Sequence, residues 1–171
     1  MSYRDFEDSI ISPRLRVVAR HWTKARGTRR IAAWTDIDPF EISEQLPIVF
    51  SYSYDAQRDE FFGRLAGNAI AGLSPSAFKG APLSEIRPAD QYPRAVERAM
   101  RVVKETALYR GTGLIYVTES KKMLGEKIVL PLASNGITPD GIFGATDYQA
   151  FSHYHPAAKE TMTEVESWFA L

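Results

Sequence analysis

Residues 48–66 read Ile48-Val49-Phe50-Ser51-Tyr52-Ser53-Tyr54, a polar link Asp55 to Asp59, then Glu60-Phe61-Phe62-Gly63-Arg64-Leu65-Ala66. Two short runs rich in β-branched and aromatic residues around a polar connection predict an antiparallel hairpin. Beyond it Gly67, Gly72 and Gly80 break the chain into short helical turns, best placed at Asn68–Ala71 and Leu83–Ile86. A long amphipathic helix follows from about Ala89 to Ala107, with Asp90 as its cap. Its apolar seam is Val96, Met100 and Val103 beside Ala99, and Arg94, Glu97, Arg98, Arg101 and Lys104 are expected to face outward. Three further strands are expected at Thr112–Thr118, Met123–Leu132 and Gly141–Tyr148, with a turn at Gly136–Gly141. Two strands, inserted helices and three strands make an α+β fold: a five-stranded antiparallel sheet with the short helices and the long one on one face.

Upstream, Ser12 and Pro13 open a second amphipathic helix reaching about Ala25, with Gly27 as its stop. Ile11, Leu15, Val18, Trp22 and Ala25 recur on one face and Arg14, Arg16, Arg20 and Lys24 on the other. That stripe must be buried, either on the sheet or on a second copy of the chain, and its residues are the expected homodimer or partner surface. Trp34 to Pro47 reads as an irregular crossing with one turn at Phe40–Glu44, and Pro156 to Phe169 as a short helix carrying Met162, Val165 and Phe169. The chain so divides into a leader with its helix (1–30), a sheet-bearing body (31–150) and a tail (151–171).

Composition bounds the function classes. At 171 residues, 44% hydrophobic and 25% charged, the chain is the size of one domain and buries a real core. Cysteine is absent, which removes disulfides, thiolate zinc sites and thiol nucleophiles. No run approaches the length of a membrane span and the start has no apolar leader, so a cytoplasmic protein is expected. Residues 1–30 carry eight Lys and Arg against three acids, while the rest carries thirteen against eighteen. No nucleic-acid motif accompanies that imbalance, so a solvated helix face meeting an acidic body is the expected reading and no nucleic-acid partner is expected.

Catalytic patterns are missing: there is no Gly-x-Ser-x-Gly elbow, no P-loop and no strand–GxGxxG–helix unit. His153 and His155 form an i, i+2 pair that could hold a metal, but no carboxylate or thiol completes a site and a surface turn is expected. His21 reads as a boundary residue of its helix. Asp147, beside Tyr148 in the last strand, is the best general-base candidate and carries the alternative of a small cone-shaped isomerase or hydratase. A third alternative is a ligand-free adaptor acting through its basic helix. The leading reading uses the aromatic residues around the hairpin. Short glycine-broken helices pack incompletely on a sheet, so a ligand cleft is expected near Phe50, Tyr52, Phe62 and Phe78. Asn68, Ile70, Met100, Tyr116 and Leu130 are its further candidate lining residues.

Trp22, Arg26-Gly27, Asp36-Ile37-Asp38-Pro39, Leu46-Pro47, Arg64-Leu65-Ala66-Gly67, Lys79-Gly80, Leu130-Pro131-Leu132 and Ile142-Phe143-Gly144 follow one another from Trp22 to near Tyr148. Together with the element order, these motifs resemble the PAS superfamily, above all its compact stand-alone family common in alphaproteobacteria. The resemblance implies a five-stranded PAS sheet, a cleft under the short helices, and a sensory role with a small ligand or a signalling protein as partner. The family usually has Pro and Arg where Ala32 and Trp34 stand here, so aromatic packing is expected to replace any ion pair of that Arg. Haem-binding PAS domains use a His on or near the long helix, and residues 89–107 contain none; flavin-adduct PAS domains need a Cys. Neither cofactor is expected, and the sequence names no other. With no kinase, cyclase or DNA-binding segment recognised, the output is expected to pass to another protein.

Overall fold

The computed structural model describes residues 2–74, 77–117, 122–151 and 164–171. The chain begins with two helices, α1 (Tyr3–Ser9) and α2 (Pro13–Arg26), and then crosses through 3-10 turns at Trp34–Asp36 and Leu46–Ile48. Strands β1 (Val49–Asp55) and β2 (Glu60–Ala66) form the hairpin, followed by the short helices α3 (Asn68–Ala71) and α4 (Leu83–Ile86) and the long α5 (Tyr92–Glu105). Strands β3 (Ala107–Val117), β4 (Lys122–Leu132), β5 (Gly141–Phe151) and β6 (Val165–Ala170) complete one six-stranded sheet in the order β2-β1-β5-β4-β3-β6. All of its pairings are antiparallel.

Both faces of the sheet are covered, and strand alternation divides the core in two. Toward α1 and α2 point Val49, Leu108, Ile128, Leu130, Leu132, Phe143, Ala145 and Phe169, packed with Phe6, Ile10, Leu15, Val18 and Trp22. Toward α4 and α5 point Phe50, Tyr52, Tyr109, Val129 and Ile142, with Trp168 packed against them.

Ser12 caps α2, its Oγ accepting the Leu15 amide at 3.3 Å, and Gly27 ends the helix at a φ of 56° that a side chain would strain. The helix is anchored on the sheet by polar groups as well. The buried Glu126 carboxylate accepts the Ile11 and Ser12 amides at 3.0 and 2.7 Å and Arg110 Nε at 2.5 Å. The Trp22 indole N–H donates to the Pro131 carbonyl at 2.8 Å.

Several expectations are corrected. The sheet has six strands, because the tail from Val165 is a strand on β3 and not the end of a helix. In Val165-Glu166-Ser167-Trp168-Phe169 the apolar residues satisfy helical spacing, yet Trp168 and Phe169 enter opposite cores, which a doubly covered strand permits. Residues 156–163 of the expected helix, the His153/His155 pair and Thr118 lie outside the described residues. The long helix starts at Tyr92 without a side-chain cap, so Asp90 does not cap it, and it stops at Thr106. Thr106 adopts the left-handed conformation (φ 54°), where glycine is the usual signal, and β3 begins at Ala107, well ahead of Thr112. Helix α1 had no counterpart in the sequence reading.

Leu15, Val18 and Trp22 are fully buried in the chain's own core, so these three form no dimer surface; Ile11 alone of the stripe is exposed, at 73%. No helix among the described residues is long and apolar enough to cross a membrane.

Candidate functional site

Helix α5 turns Ala95 and Ala99 toward the sheet. Two small residues one helical turn apart cannot fill the space a Leu would, and a cavity of about 480 Å³ remains between the helix and the strands. Its apolar wall is Phe50, Leu83, Ala95, Ala99, Ile115, Val129 and Ile142; its polar groups are Tyr52, Arg87, Asp90, Gln91, Arg94, Arg98, Tyr109, Lys127 and Glu164. The register shift of β3 between Leu114 and Tyr116 brings Leu114 and Ile115 to its edge.

The cations fall into two sets. Arg98 pairs with Glu164 and, at 2.6 Å, with Glu166, and Arg94 meets Glu166 at 2.8 Å. Glu164 also accepts the Tyr109 hydroxyl at 2.6 Å; burial and this carboxylate together raise the Tyr109 phenol above its ordinary range. That set is internally neutralised. Arg87 and Lys127 differ: among the described residues neither has a carboxylate within ion-pair distance.

Lys127 is 7% exposed, and its Nζ lies 4.3 Å from the Tyr116 ring centroid, while Arg87 Cζ lies 5.1 Å from the same centroid. Among the described residues Arg87 Nε and Tyr52 Oη are sealed from solvent and make no well-formed hydrogen bond, although the Arg87 guanidinium lies against the hydroxyls of both Tyr52 and Tyr116. Burial pushes the Lys127 ammonium below its ordinary range and the Tyr52 phenol up to about 12. For Tyr116 burial acts upward, but Lys127 and Arg87 outweigh it, and with the Thr146 hydroxyl at 3.3 Å bring the phenol to about 8.

Of the lining residues expected from sequence, Phe50 and Tyr52 border the cavity. Ile70 and Phe78 are buried in the same core, with the Phe78 ring 4.9 Å from that of Tyr52, while Phe62 and Met100 are only partly buried. Tyr116 lies beneath the two cations. Asn68 is exposed, and Leu130 is corrected outright, since its side chain enters the core against α2 on the other side of the sheet. Arg94 is exposed as expected and stands at the rim of the cavity, whereas Arg98, also expected to face solvent, is mostly buried beside Tyr109.

Lys127 and Arg87 were missed. The available signal was a lysine opening the apolar run Ile128-Val129-Leu130-Pro131-Leu132, and an arginine between the short helix and Pro88.

Asp147 does not enter the cavity. It faces α2, accepts the Ser12 hydroxyl at 2.7 Å and pairs with Arg14 at 3.1 Å, so it fastens the start of that helix and is not placed as a base there. His21 is buried, its Nε2 accepting the Asp38 amide at 3.0 Å beside Glu41. Trp34 stacks under Arg64, 5.2 Å from its guanidinium carbon, and Ala32 is buried, accepting the Ala133 amide at 2.9 Å.

A covered antiparallel sheet with short helices and a long helix over a cleft makes this an α+β domain. The model of one family, described as a PAS domain, matches residues 11–147, and the chain belongs to that family. A comparison with curated proteins gave no match. Family membership makes the chain a sensory or regulatory type of module, of a kind that generally does no catalysis.

Proposed function

We propose that this chain is a regulatory binding module that takes a small molecule into the cleft between α5 and the sheet and transmits its presence to a protein partner. The observation that carries the reading is the cavity itself. About 480 Å³ lies within the range of small-molecule sites, and an apolar wall with a few convergent polar groups is their usual lining. The binding step acts as a population shift: a ligand that touches α5, α4 and the strands favours the packing of those helices that holds it best.

The test is a melting-temperature screen of the whole chain against neutral, cationic and anionic metabolites. Ala99→Trp, which fills the cavity from α5, serves as control. Stabilisation by any compound class that is lost in Ala99→Trp supports the reading. No stabilisation by any class, or stabilisation that survives Ala99→Trp unchanged, contradicts it.

A further inference from the structure

We propose that the ligand is a small organic acid, its carboxylate held by Lys127 and Arg87 and its apolar body lying on Phe50, Val129 and Ile142. This rests on the reading of the cleft as a ligand site and narrows it to one chemical class. Charges and polar groups in a protein interior are paired or hydrogen-bonded, because removing them from water without a partner is costly. Among the described residues Lys127 has no carboxylate partner and meets only the Tyr116 ring, and the Arg87 Nε and the Tyr52 hydroxyl have no hydrogen-bond partner; all three residues line one cavity. The neighbouring Arg98 shows the contrast, since two glutamates of the chain itself satisfy it.

An anion entering the cavity supplies what Lys127 and Arg87 lack. The planar guanidinium and the adjacent ammonium fit an oxyanion head, and Tyr52 adds a hydroxyl donor. Beside these groups runs the apolar part of the wall, with Phe50, Val129 and Ile142, which a bare inorganic anion leaves without contacts. A carboxylate with a hydrocarbon or aromatic body fills both parts.

The experiment titrates the whole chain with phenylacetate, octanoate and adipate, with the neutral amide of each, and with inorganic phosphate. Binding is followed by calorimetry. At least one acid binds while its amide does not, and Lys127→Met and Arg87→Met each weaken that acid by roughly ten- to a hundredfold, the scale of a charge-assisted hydrogen bond. Lys127→Arg, which keeps the charge, retains binding. Equal affinity for acid and amide, binding of phosphate alone, or acid affinity unchanged in both Met variants overturns the assignment. If no probe binds, the organic-acid assignment falls. The cleft reading then still stands or falls on the neutral and cationic arms of the metabolite screen.

Discussion

Lys127 and Arg87 reach the same Tyr116 ring, at 4.3 and 5.1 Å from its centroid, from a strand and from the end of a short helix. The ring's electron-rich face offsets part of the cost of burying two like charges together. Its hydroxyl does more, because a phenolate there would neutralise one of them. The consequence is a pH response in an otherwise ordinary core.

With Tyr116 at about 8 in the folded chain and near 10 unfolded, the unfolded state holds more protons between those values. Stability of the ligand-free chain therefore rises from pH 8 to pH 10, on the order of 2 kcal/mol, and is lost again as pH falls through 8. The lowered Lys127 ammonium acts in the same direction, while Tyr52, at about 12, acts oppositely only at higher pH. Urea denaturation at pH 7.5 and 9.5 measures the rise, and Tyr116→Phe removes the tyrosine's share. A rise of equal size in Tyr116→Phe contradicts the assignment.

Glu126 joins the start of α2 to the sheet through two amides and Arg110. Glu126→Gln leaves Arg110 without its charge partner in a buried setting and costs about 3 kcal/mol. Hydrogen exchange in residues 10–16 accelerates before that of β4 and β5.

Gly67 follows β2, and a Cβ there would stand 1.9 Å from the Leu46 carbonyl oxygen, a backbone atom that cannot step aside. Gly67→Ala destabilises by about 2–3 kcal/mol, the scale of overpacking, and denaturation midpoints report it.

Much of the fold was legible because its landmarks are backbone devices. Gly27 is a helix stop at positive φ, Gly67 permits a close approach, and a Cβ on Gly144 would meet the Phe50 ring and the Ile128 carbonyl. Trp22 is tied to Pro131. Motifs of this kind report a fold and say nothing of its ligand, which is why family resemblance reached the sheet and stopped short of Arg87 and Lys127. Alternation could not supply them either. With both sheet faces covered, Lys127 and Leu130 occupy opposite faces of β4, and only the paired register shows which one meets the cleft. The strand at Val165 and the stop at Thr106 were hidden for local reasons, one by a short ambiguous apolar run and the other by a left-handed residue that is not glycine.

Asp147 lies across the sheet from the cleft, bound to Ser12 and Arg14. Asp147→Asn leaves the affinity of any cleft ligand unchanged and lowers stability by about 1 kcal/mol through weaker support of the α2 start. A large loss of ligand affinity without loss of stability would restore Asp147 to the site.

The most direct measurement is the melting temperature of Lys127→Met beside that of the unaltered chain, both free of ligand. If the cleft holds an ammonium whose counter-ion is a ligand, replacing it by an apolar side chain of similar length removes an unpaired buried charge. The variant then melts higher, by about 4 °C or more. A variant that melts lower would mean that Lys127 is already paired and structural, and would contradict the account.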